Sequence, residues 1–207
     1  MTVTSREEHL VELVDDGGRA LGASSVADAH QPPGQLHRAF SVLLVAPDGR
    51  VLLQQRAAVK TRFPLRWANS CCGHPAPGQS LTDAANRRLR EELGVGPVPL
   101  TEVGVHVYRA EDPATGRVEV EYDHVLRGEF TRPEELHPDP AEVADLCWVD
   151  PVELAADLDR RPDRYAPWLV GVVGRLLHHD GTTTEVAGAV TTDPAGADEA
   201  SERSGGQ

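Results

Sequence analysis

The feature that most constrains the fold is an extended segment that turns directly into a helix. It begins with residues 69–75, which read Asn-Ser-Cys-Cys-Gly-His-Pro. Cys72 and His74 are two positions apart, so in an extended chain both side chains project from the same face. Prolines and glycines then turn the chain toward Ser80, where a helix is predicted to begin. A thiol and an imidazole at the mouth of a strand-to-helix turn indicate a functional site.

The elements around this turn are predicted from periodicity and turn residues. A helix is predicted over residues 80–93, because Ser80 can cap it, an apolar stripe runs along it and Gly94 can end it. Two apolar runs, residues 40–46 and 50–55, flank Pro-Asp-Gly and predict a β-hairpin. Further strands are predicted at residues 11–15, 65–72, 102–110, 118–127 and 146–149, and further helices at residues 151–158 and 165–179. Residues 24–35 contain prolines and a glycine and are predicted to form a loop.

The order of these elements predicts a single domain. Strands before and after one central helix, with helices at the end, are typical of an α/β (α+β) fold in which helices lie on both sides of a mixed β-sheet. This domain is predicted to cover residues 1–180. Residues 181–207 are acidic and rich in threonine, glycine and alanine without periodicity, which predicts a disordered tail.

Composition limits the partners and the compartment of this domain. The formal net charge of −13 disfavours nucleic acid as a partner, because a phosphate backbone requires a basic surface, but it allows a small anionic substrate. Three cysteines, two of them adjacent, are too few for a disulfide scaffold and favour a reducing compartment. No segment has the length and apolarity of a membrane span, and the charged first residues disfavour a signal peptide. We therefore expect a soluble cytoplasmic protein that binds neither nucleic acid nor membrane.

Five residues form a candidate metal-binding group: His30, His37, His74, Glu119 and Glu121. The two glutamates are two positions apart on a predicted strand, so both carboxylates project from one face. Three imidazoles and two carboxylates suit a divalent ion with five or six ligands better than a closed tetrahedral zinc site. Taken singly, each histidine is also explained as a surface or core residue, and the glutamates as a solvated strand face.

Residues 73–95 form a candidate site for Mg²⁺ and a diphosphate. Glu91 and Glu92 are paired carboxylates near the end of the predicted helix, where they could hold Mg²⁺ against a diphosphate. Arg88 lies four positions before Glu92 and shares its helix face, and the simpler alternative is an exposed ion pair. Four cations in the loop after the hairpin could contact phosphate oxygens or form an ordinary basic loop. They are Arg56, Lys60, Arg62 and Arg66.

These residues carry two resemblances to known families. Residues 73–95 resemble the Nudix box, with Gln79 and Arg88 standing where that box has glutamates. Over residues 8–179 the chain resembles the type 1 isopentenyl-diphosphate Δ-isomerases. The matching residues are His30, His37-Arg-Ala-Phe-Ser, Arg56, Lys60, the run from Trp67 to Pro75, Arg88, Glu92, Glu119 and Glu121. One departure is Val26, which stands where the family commonly has a phosphate-binding lysine.

The isomerase resemblance implies a Nudix-like fold and an enzyme of isoprenoid biosynthesis that converts isopentenyl diphosphate to dimethylallyl diphosphate. Such an enzyme must protonate an unactivated alkene, remove another proton and shelter the positive charge between the two steps. The resemblance assigns catalysis to Cys72 and Glu121, with Tyr108 hydrogen-bonded to Glu121 in support. It associates Glu121, also a metal ligand, with protonation and Cys72 with proton removal or shuttling, and it leaves open which of the two delivers the first proton. Cys71 and Cys147 are expected to be structural.

The resemblance also implies two metal sites and a set of substrate contacts. One Mn²⁺, Mg²⁺ or Zn²⁺ would be held by His30, His37, His74, Glu119 and Glu121. A Mg²⁺ at Glu92 would bridge to the diphosphate of the substrate, which is the expected small-molecule partner of a monomeric enzyme. The substrate contacts would be Arg56, Lys60, Arg88 and Trp168. For Trp168, a π-face offered to a cationic intermediate and a core position at a helix start are equal alternatives.

Two other functions remain open on the sequence. A Nudix diphosphate hydrolase would release phosphate, but Gln79 and Arg88 replace residues with which such an enzyme binds metal and supplies a base. A diphosphate-binding module without catalysis is compatible with the lysine missing at Val26. The fate of isopentenyl diphosphate in deuterated water distinguishes these functions from isomerisation.

Overall fold

A computed structural model describes residues 6–181 of the protein. The strands are β1 (Leu10–Val14), β2 (Ala20–Ser25), β3 (His37–Val45), β4 (Val51–Arg56), β5 (Trp67–Ala68), β6 (Cys71–Gly73), β7 (Leu100–Glu111), β8 (Val118–Glu129) and β9 (Val143–Val149). The helices are α1 (Val26–Ala29), α2 (Leu81–Leu93), α3 (Pro151–Arg160) and α4 (Leu169–His179). Short 3₁₀ turns cover Arg6–Glu8, Pro133–Glu135 and Pro162–Arg164. The tail predicted over residues 181–207 lies, after its first residue, outside the described residues.

Within this range the strands form one mixed sheet organised around β3. β3 pairs in antiparallel fashion with β1, β4 and β6 and in parallel with β8. The sheet continues from β8 to β7, from β4 to β9 and β5, and from β1 to β2. Every residue of β3 except Arg38 is buried, which explains why most side chains of this strand are apolar.

Helices cover both faces of the sheet and create two cores. Phe40, Val42 and Leu44 of β3 pack with the apolar side of α2. Leu43 and Val45, which alternate with them, pack with residues of α3 and α4 on the opposite face. The sequence prediction of a single-domain fold with a mixed sheet between helices is therefore confirmed.

The strand-to-helix turn forms as the sequence predicts. Ser80 Oγ accepts a hydrogen bond from the backbone N–H of Asp83 at 3.4 Å and so caps α2. Gly94 ends the helix in a left-handed conformation with φ of 70°, which a glycine adopts without a steric penalty. The predicted hairpin over residues 40–46 and 50–55 is formed by β3 and β4.

A glycine allows α4 to approach the sheet closely. Gly171 of α4 lies against His106 of β7, and a Cβ atom added to Gly171 would be 2.2 Å from the imidazole ring. No real side chain fits at that distance. Trp168 lies at the N-terminal end of the same helix. His106 in turn stacks on Tyr108, with ring centroids 5.3 Å apart.

Three predictions of local structure are wrong in detail. Residues 24–35 are not a plain loop, because they include the end of β2 and the one-turn helix α1, whose cap Ser25 accepts from Asp28 N at 3.0 Å. A four-residue helix is too short to show a helical period in the sequence. Residues 65–72 are divided between β5 and β6, and Leu65 has a left-handed φ of 61°. The last helix begins at Leu169, after a 3₁₀ turn, rather than at residue 165.

The structure also bears on membrane spans and disulfide bonds. Within residues 6–181, none of the helices combines the length and the apolar character that a bilayer crossing requires. The three cysteines are all free thiols, as their number and spacing predict.

Candidate active site

One cavity of about 420 Å³ brings together most of the functional residues that the sequence predicts. Its walls carry a thiol, an imidazole, carboxylates and aromatic rings from Cys72, His74, Tyr108, Glu119, Glu121 and Trp168. They also carry six cationic side chains, from Arg6, Arg56, Lys60, Arg62, Arg87 and Arg88. Groups that are far apart along the chain, and that the sequence assigns to catalysis and to phosphate binding, therefore share one site.

The register of three neighbouring strands determines the surroundings of Glu121. In β8, Glu121 lies opposite Tyr108 of β7 and opposite His37 of β3. The Tyr108 hydroxyl donates a hydrogen bond to Glu121 Oε2 at 2.7 Å. Glu121 Oε1 lies 2.9 Å from Nε2 of His74, which directly follows β6, and 3.6 Å from Nε2 of His37. The carboxylate is thus fixed by groups from three other segments.

Three histidines and Glu121 form a compact group that could hold a metal ion. One ligand atom from each of His30, His37, His74 and Glu121 lies within 4.8 Å of all the others. The Nδ1 atoms of His30 and His37 each donate to a backbone carbonyl at 2.7 Å, which leaves their Nε2 atoms available as ligands. In the described part of the chain, the buried Nε2 atom of His37 has no hydrogen-bond partner. Such an orphaned imidazole nitrogen fits a metal ligand.

Glu119, the fifth predicted ligand, lies beside this group. Its Oε2 atom is 2.9 Å from His30 Nε2. Its Oε1 atom accepts a hydrogen bond from Arg62 Nε at 2.9 Å. Glu119 is therefore in contact with His30, but one of its oxygens is held by Arg62, which was predicted only as a possible phosphate contact.

Burial and neighbouring charges shift the pKa values of Glu121, His74 and His37 in different directions. Burial acts to raise the pKa of Glu121, but its contacts with the imidazoles of His37 and His74 hold it well below its usual range. Burial lowers the pKa of His74 to about 4, and Glu121 offsets this only in part. Burial also acts to lower the pKa of His37, but the contact with Glu121 raises it overall. At neutral pH Glu121 is therefore ionised and His74 is a neutral imidazole.

Cys72 is a neutral thiol at neutral pH. Burial raises its pKa to about 12, and the charges of Glu92 and Glu121 add to this effect although Arg56 opposes it. Arg56 Nη1 lies 3.9 Å from Cys72 Sγ, within hydrogen-bonding reach of sulfur. The adjacent Cys71 is fully buried in the core beside α2.

Arg56 is a buried cation that makes no ion pair within residues 6–181. Its Nε and Nη2 atoms donate to the backbone carbonyl of Arg62 at 3.2 and 2.8 Å, and Nε also reaches the carbonyl of Phe63 at 3.2 Å. Its guanidinium carbon lies 5.4 Å from the centroid of the Trp168 ring. Because carbonyls and an aromatic face leave the net charge uncompensated, this part of the cavity attracts an anion.

Two other predicted phosphate-binding cations share a carboxylate. Glu142 forms ion pairs with Lys60, with Arg6 at 2.5 Å and with Arg88 at 3.7 Å. Burial acts to raise the pKa of Glu142, but these three cations lower it overall. Glu142 was not predicted as a site residue, because nothing in its local run of prolines and acids distinguishes it from a surface carboxylate. Only its pairing with residues far away in the chain shows its place in the site.

The Arg88–Glu92 pair is buried, so the alternative of an exposed surface pair is wrong. Glu92 is 1% exposed, forms an ion pair with Arg88 through one oxygen and accepts from Gln54 Nε2 at 3.0 Å through the other. Glu91 is the exposed member of the two carboxylates and pairs with Arg88 at 2.6 Å. Glu92 itself does not line the cavity, whereas Arg88 does.

Trp168 lies in the core and also reaches the cavity, so its position is compatible with both of the roles considered for it. Its side chain is buried and packs in the core with Leu169, and it also lines the cavity. The indole Nε1 donates to Asn69 Oδ1 at 3.0 Å, which fixes the ring. The ring stacks on Tyr108 with centroids 6.0 Å apart.

Two positions that were considered for phosphate binding, Arg66 and Val26, contribute no charge to the cavity. Arg66 does not line it and instead lies 4.0 Å from the carboxylate of Asp163. Val26 does line the cavity, so an apolar side chain stands where the isomerase pattern has a cation. The two neighbouring loop cations Lys60 and Arg62 both line the cavity.

Comparison with known proteins identifies relatives of this chain. The family model described as NUDIX domain matches residues 35–169. A Nocardia farcinica protein named isopentenyl-diphosphate Delta-isomerase is 66% identical over 164 residues, which cover 79% of this chain and 91% of that protein. A Streptomyces coelicolor protein of the same name is 47% identical over 167 residues, which cover 81% of this chain and 83% of that protein.

Solved structures share the fold at low sequence identity. A Deinococcus radiodurans protein matches with a TM-score of 0.65 and 18% identity over 81% of this chain and 98% of that chain. A Nudix hydrolase from M. smegmatis matches with a TM-score of 0.53 and 21% identity over 86% of this chain and 97% of that chain. At these identities the likeness concerns the fold alone.

Proposed function

We propose that this chain, which belongs to the isopentenyl-diphosphate Δ-isomerase family of Nudix domain proteins, converts isopentenyl diphosphate to dimethylallyl diphosphate. One observation carries the proposal. A neutral thiol, an ionised carboxylate and a buried arginine that forms no ion pair with any other residue of the described range share a single cavity. An allylic rearrangement requires a proton donor and a proton acceptor, and a diphosphate requires a cation.

The reaction adds one proton to the substrate and removes another. Proton addition to the terminal CH₂ of the alkene forms a C–H bond and leaves positive charge on the tertiary carbon. Loss of a proton from the adjacent CH₂ then forms the new double bond. The neutral thiol of Cys72 can give a proton and the ionised carboxylate of Glu121 can accept one. The resting site thus holds one acid and one base, which supports these two residues as the catalytic pair.

Three neighbours support these proton transfers. Tyr108 holds the Glu121 carboxylate through its 2.7 Å hydrogen bond. Arg56 lies within reach of Cys72 Sγ and would stabilise a thiolate as the proton leaves. Trp168 lines the cavity and offers a π-face to the cationic intermediate, an interaction of about 1–2 kcal/mol when desolvated.

The donor set fits one divalent ion at the histidines. We propose Mn²⁺, Mg²⁺ or Zn²⁺, held by His30, His37, His74 and Glu121 with Glu119 beside them. When bound, the ion would supply positive charge that orients the Glu121 carboxylate and favours its ionised form. The second ion that the isomerase resemblance implies, a Mg²⁺ at Glu92, does not fit the residues as they are arranged here, because Glu92 does not line the cavity and its two oxygens are held by Arg88 and by Gln54.

The diphosphate end of the substrate would bind among the cations of the cavity. Arg56 makes no ion pair among the described residues and can receive a phosphate oxygen directly. Lys60 and Arg88 would exchange their contacts with Glu142 for contacts with the diphosphate. Arg56 is buried and Lys60 and Arg88 are half-buried, which makes such contacts stronger than they would be at the surface.

Turnover of isopentenyl diphosphate in deuterated water tests the proposal. The expected product is dimethylallyl diphosphate with deuterium in a methyl group, because the added proton comes from an exchangeable site on the protein. Release of phosphate without rearrangement would establish a hydrolase. Binding without any change in the substrate would establish a diphosphate-binding module.

The hydrolase alternative lacks an acid at a position where the Nudix box has one. Gln79 stands there, and its Oε1 atom accepts a hydrogen bond from Ala76 N at 3.0 Å within the turn before α2. Gln79 does not line the cavity. Its neutral amide can neither neutralise a metal ion nor accept a proton from water, which favours isomerisation over hydrolysis.

We propose further that the enzyme works as a monomer in the cytoplasm, a reducing compartment in which its free thiols persist. Light scattering at assay concentration measures the first property. A dimer that dissociates together with loss of activity would contradict it.

A further inference from the structure

We propose that Arg62 is a further diphosphate-binding residue and supplies the positive charge that is missing at Val26. The proposal rests on the isomerase function proposed above. Four observations support it: the place of Arg62 in the hydrogen-bond network, its contact with Arg56, its burial and an N–H group that remains available.

His30 and Glu119 connect the backbone of Val26 to Arg62 through three short contacts. The carbonyl of Val26 is 2.7 Å from His30 Nδ1, His30 Nε2 is 2.9 Å from Glu119 Oε2, and Glu119 Oε1 is 2.9 Å from Arg62 Nε. Val26 and Arg62 also line the same cavity. Arg62 and a lysine at position 26 would therefore contribute positive charge to the same cavity.

Arg62 also adjoins Arg56, the cation without a counter-ion. Arg56 donates two hydrogen bonds to the Arg62 carbonyl, so the two arginines lie next to each other around the cavity. The residue after Arg62 is held firmly, because Phe63 N donates to Asp112 Oδ2 at 2.9 Å. Arg62 is thus fixed between the histidine group, through Glu119, and the phosphate-binding cations, through Arg56.

The guanidinium of Arg62 keeps one nitrogen for a ligand. Its Nε donates to Glu119, and its Nη1 donates to Glu7 at 3.1 Å and to Thr61 at 3.2 Å. Between residues 6 and 181, Nη2 has no hydrogen-bond partner, although only 12% of the side chain is exposed. An arginine in this state can donate Nη2–H to a phosphate oxygen without giving up the contacts that hold it in place.

A purely structural role for Arg62 is the competing explanation. In that case the side chain would serve only to orient Glu119 beside the histidines. Loss of Arg62 would then lower the metal content and the turnover number kcat, and a lysine elsewhere in the cavity would not compensate. Substrate affinity therefore separates the two roles.

The experiment compares Arg62→Gln, Val26→Lys and the double variant with the wild type. We expect Arg62→Gln to raise the KM for isopentenyl diphosphate by about tenfold to a hundredfold, as for a lost charge-assisted hydrogen bond. Val26→Lys in the same chain should restore the KM to within about threefold of the wild type, since it returns a cation to the same region. The affinity for inorganic pyrophosphate with Mg²⁺, measured by calorimetry, should change in parallel.

Two controls accompany these variants. Arg19→Gln removes an arginine whose Nε also donates to a carboxylate, Asp15 Oδ2 at 2.8 Å, but which lies outside the cavity. It should leave both measurements unchanged. Arg62→Lys keeps the charge if Arg62→Gln does not fold, and should weaken pyrophosphate binding less than the glutamine variant.

An unchanged KM and an unchanged pyrophosphate affinity in Arg62→Gln would overturn the proposal. So would loss of metal and of kcat that Val26→Lys does not repair. These results would leave the proposed isomerase function intact. Conversely, pyrophosphate binding that depends on Arg62 in a protein without isomerase activity would refute the proposed function and retain the role of Arg62.

Discussion

The site has a histidine half, formed by His30, His37, His74 and Glu121, and a cation half, formed by Arg56, Lys60 and Arg88. The two halves are organised in opposite ways. The histidine half is fixed by strand register, since Glu121 in β8 lies opposite His37 in β3 and Tyr108 in β7. The cation half is fixed by ion pairs, with Lys60 and Arg88 both in contact with Glu142. Backbone pairing determines the positions of the side chains in the histidine half. In the cation half, the positions of Lys60 and Arg88 depend on Glu142, which a ligand can displace.

This difference follows from the chemistry of each half. Proton transfer requires reacting groups that keep their positions to a fraction of an ångström, and strand pairing provides such precision. A diphosphate brings its own negative charge, so the cations that receive it need a temporary counter-ion when the site is free of substrate. Glu142 is buried and negatively charged in the midst of three cations, which suits that purpose.

The largest expected effect is at Glu121. We expect Glu121→Gln to lower kcat by about 10³- to 10⁴-fold, because an amide can neither accept nor deliver the proton. Glu102→Gln is the matched control, since Glu102 also pairs with a histidine, His124 at 2.9 Å, but lies outside the cavity. Steady-state kinetics with a thermal melt of each variant provides the measurement. Wild-type turnover in Glu121→Gln would remove this carboxylate from the reaction.

Cys72→Ala should lower kcat by about 10²- to 10⁴-fold, since the proton held by the thiol is lost. Cys71→Ser should reduce activity only mildly, because Cys71 lies in the core and not in the cavity wall. Deuterium incorporation under single-turnover conditions measures the residual chemistry. If the alanine variant exchanges protons at the wild-type rate, the acid of the reaction must be sought elsewhere.

A smaller effect is expected on the reactivity of the thiol itself. With a pKa of about 12, Cys72 should be alkylated by iodoacetamide at pH 8 about 100-fold more slowly than free cysteine. Peptide mapping by mass spectrometry gives the rate at Cys72 alone, and the chain unfolded in urea serves as the reference. Alkylation at the same rate as in the unfolded chain would mean that the pKa of Cys72 is not raised, and would remove the argument that its resting thiol is the acid of the pair.

The smallest expected effect is a change in pyrophosphate affinity when Glu142 is replaced. Glu142→Gln should tighten the binding of inorganic pyrophosphate by about threefold to tenfold, because Lys60 and Arg88 lose an internal competitor. Glu135→Gln, which removes the exposed partner of Arg132, is the control. Calorimetry decides the outcome. Weaker binding in Glu142→Gln would show that Glu142 holds the cations in place for the ligand and does not compete with it.

The parts of the fold that were predicted from the sequence are those with local signals. Ser80 and Gly94 delimit α2 by cap chemistry, and the Pro-Asp-Gly turn defines the hairpin of β3 and β4. The histidines and glutamates of the metal group were found because the resemblance to a family names them together. In contrast, α1 was missed because one helical turn leaves no periodic trace.

The network that connects the two halves of the cavity could not be predicted from the sequence. Glu142 and Arg62 have ordinary neighbours in the chain, and their roles arise from contacts with Lys60 and Glu119, 82 and 57 residues away. No local pattern encodes such a pairing, because it depends on how β8 and the loop after β4 meet in the folded protein. Predictions of charge clusters from sequence therefore list the cations but not their partners.

The missing side chain at Gly171 has a consequence for evolution and for engineering. A methyl group at Gly171 would collide with His106, which stacks on Tyr108. It would push α4, and Trp168 at its N-terminal end, away from the sheet. The position of the Trp168 ring in the cavity wall thus depends on the absence of a side chain at Gly171. Substitution of that glycine would reshape the pocket without touching any residue in its wall.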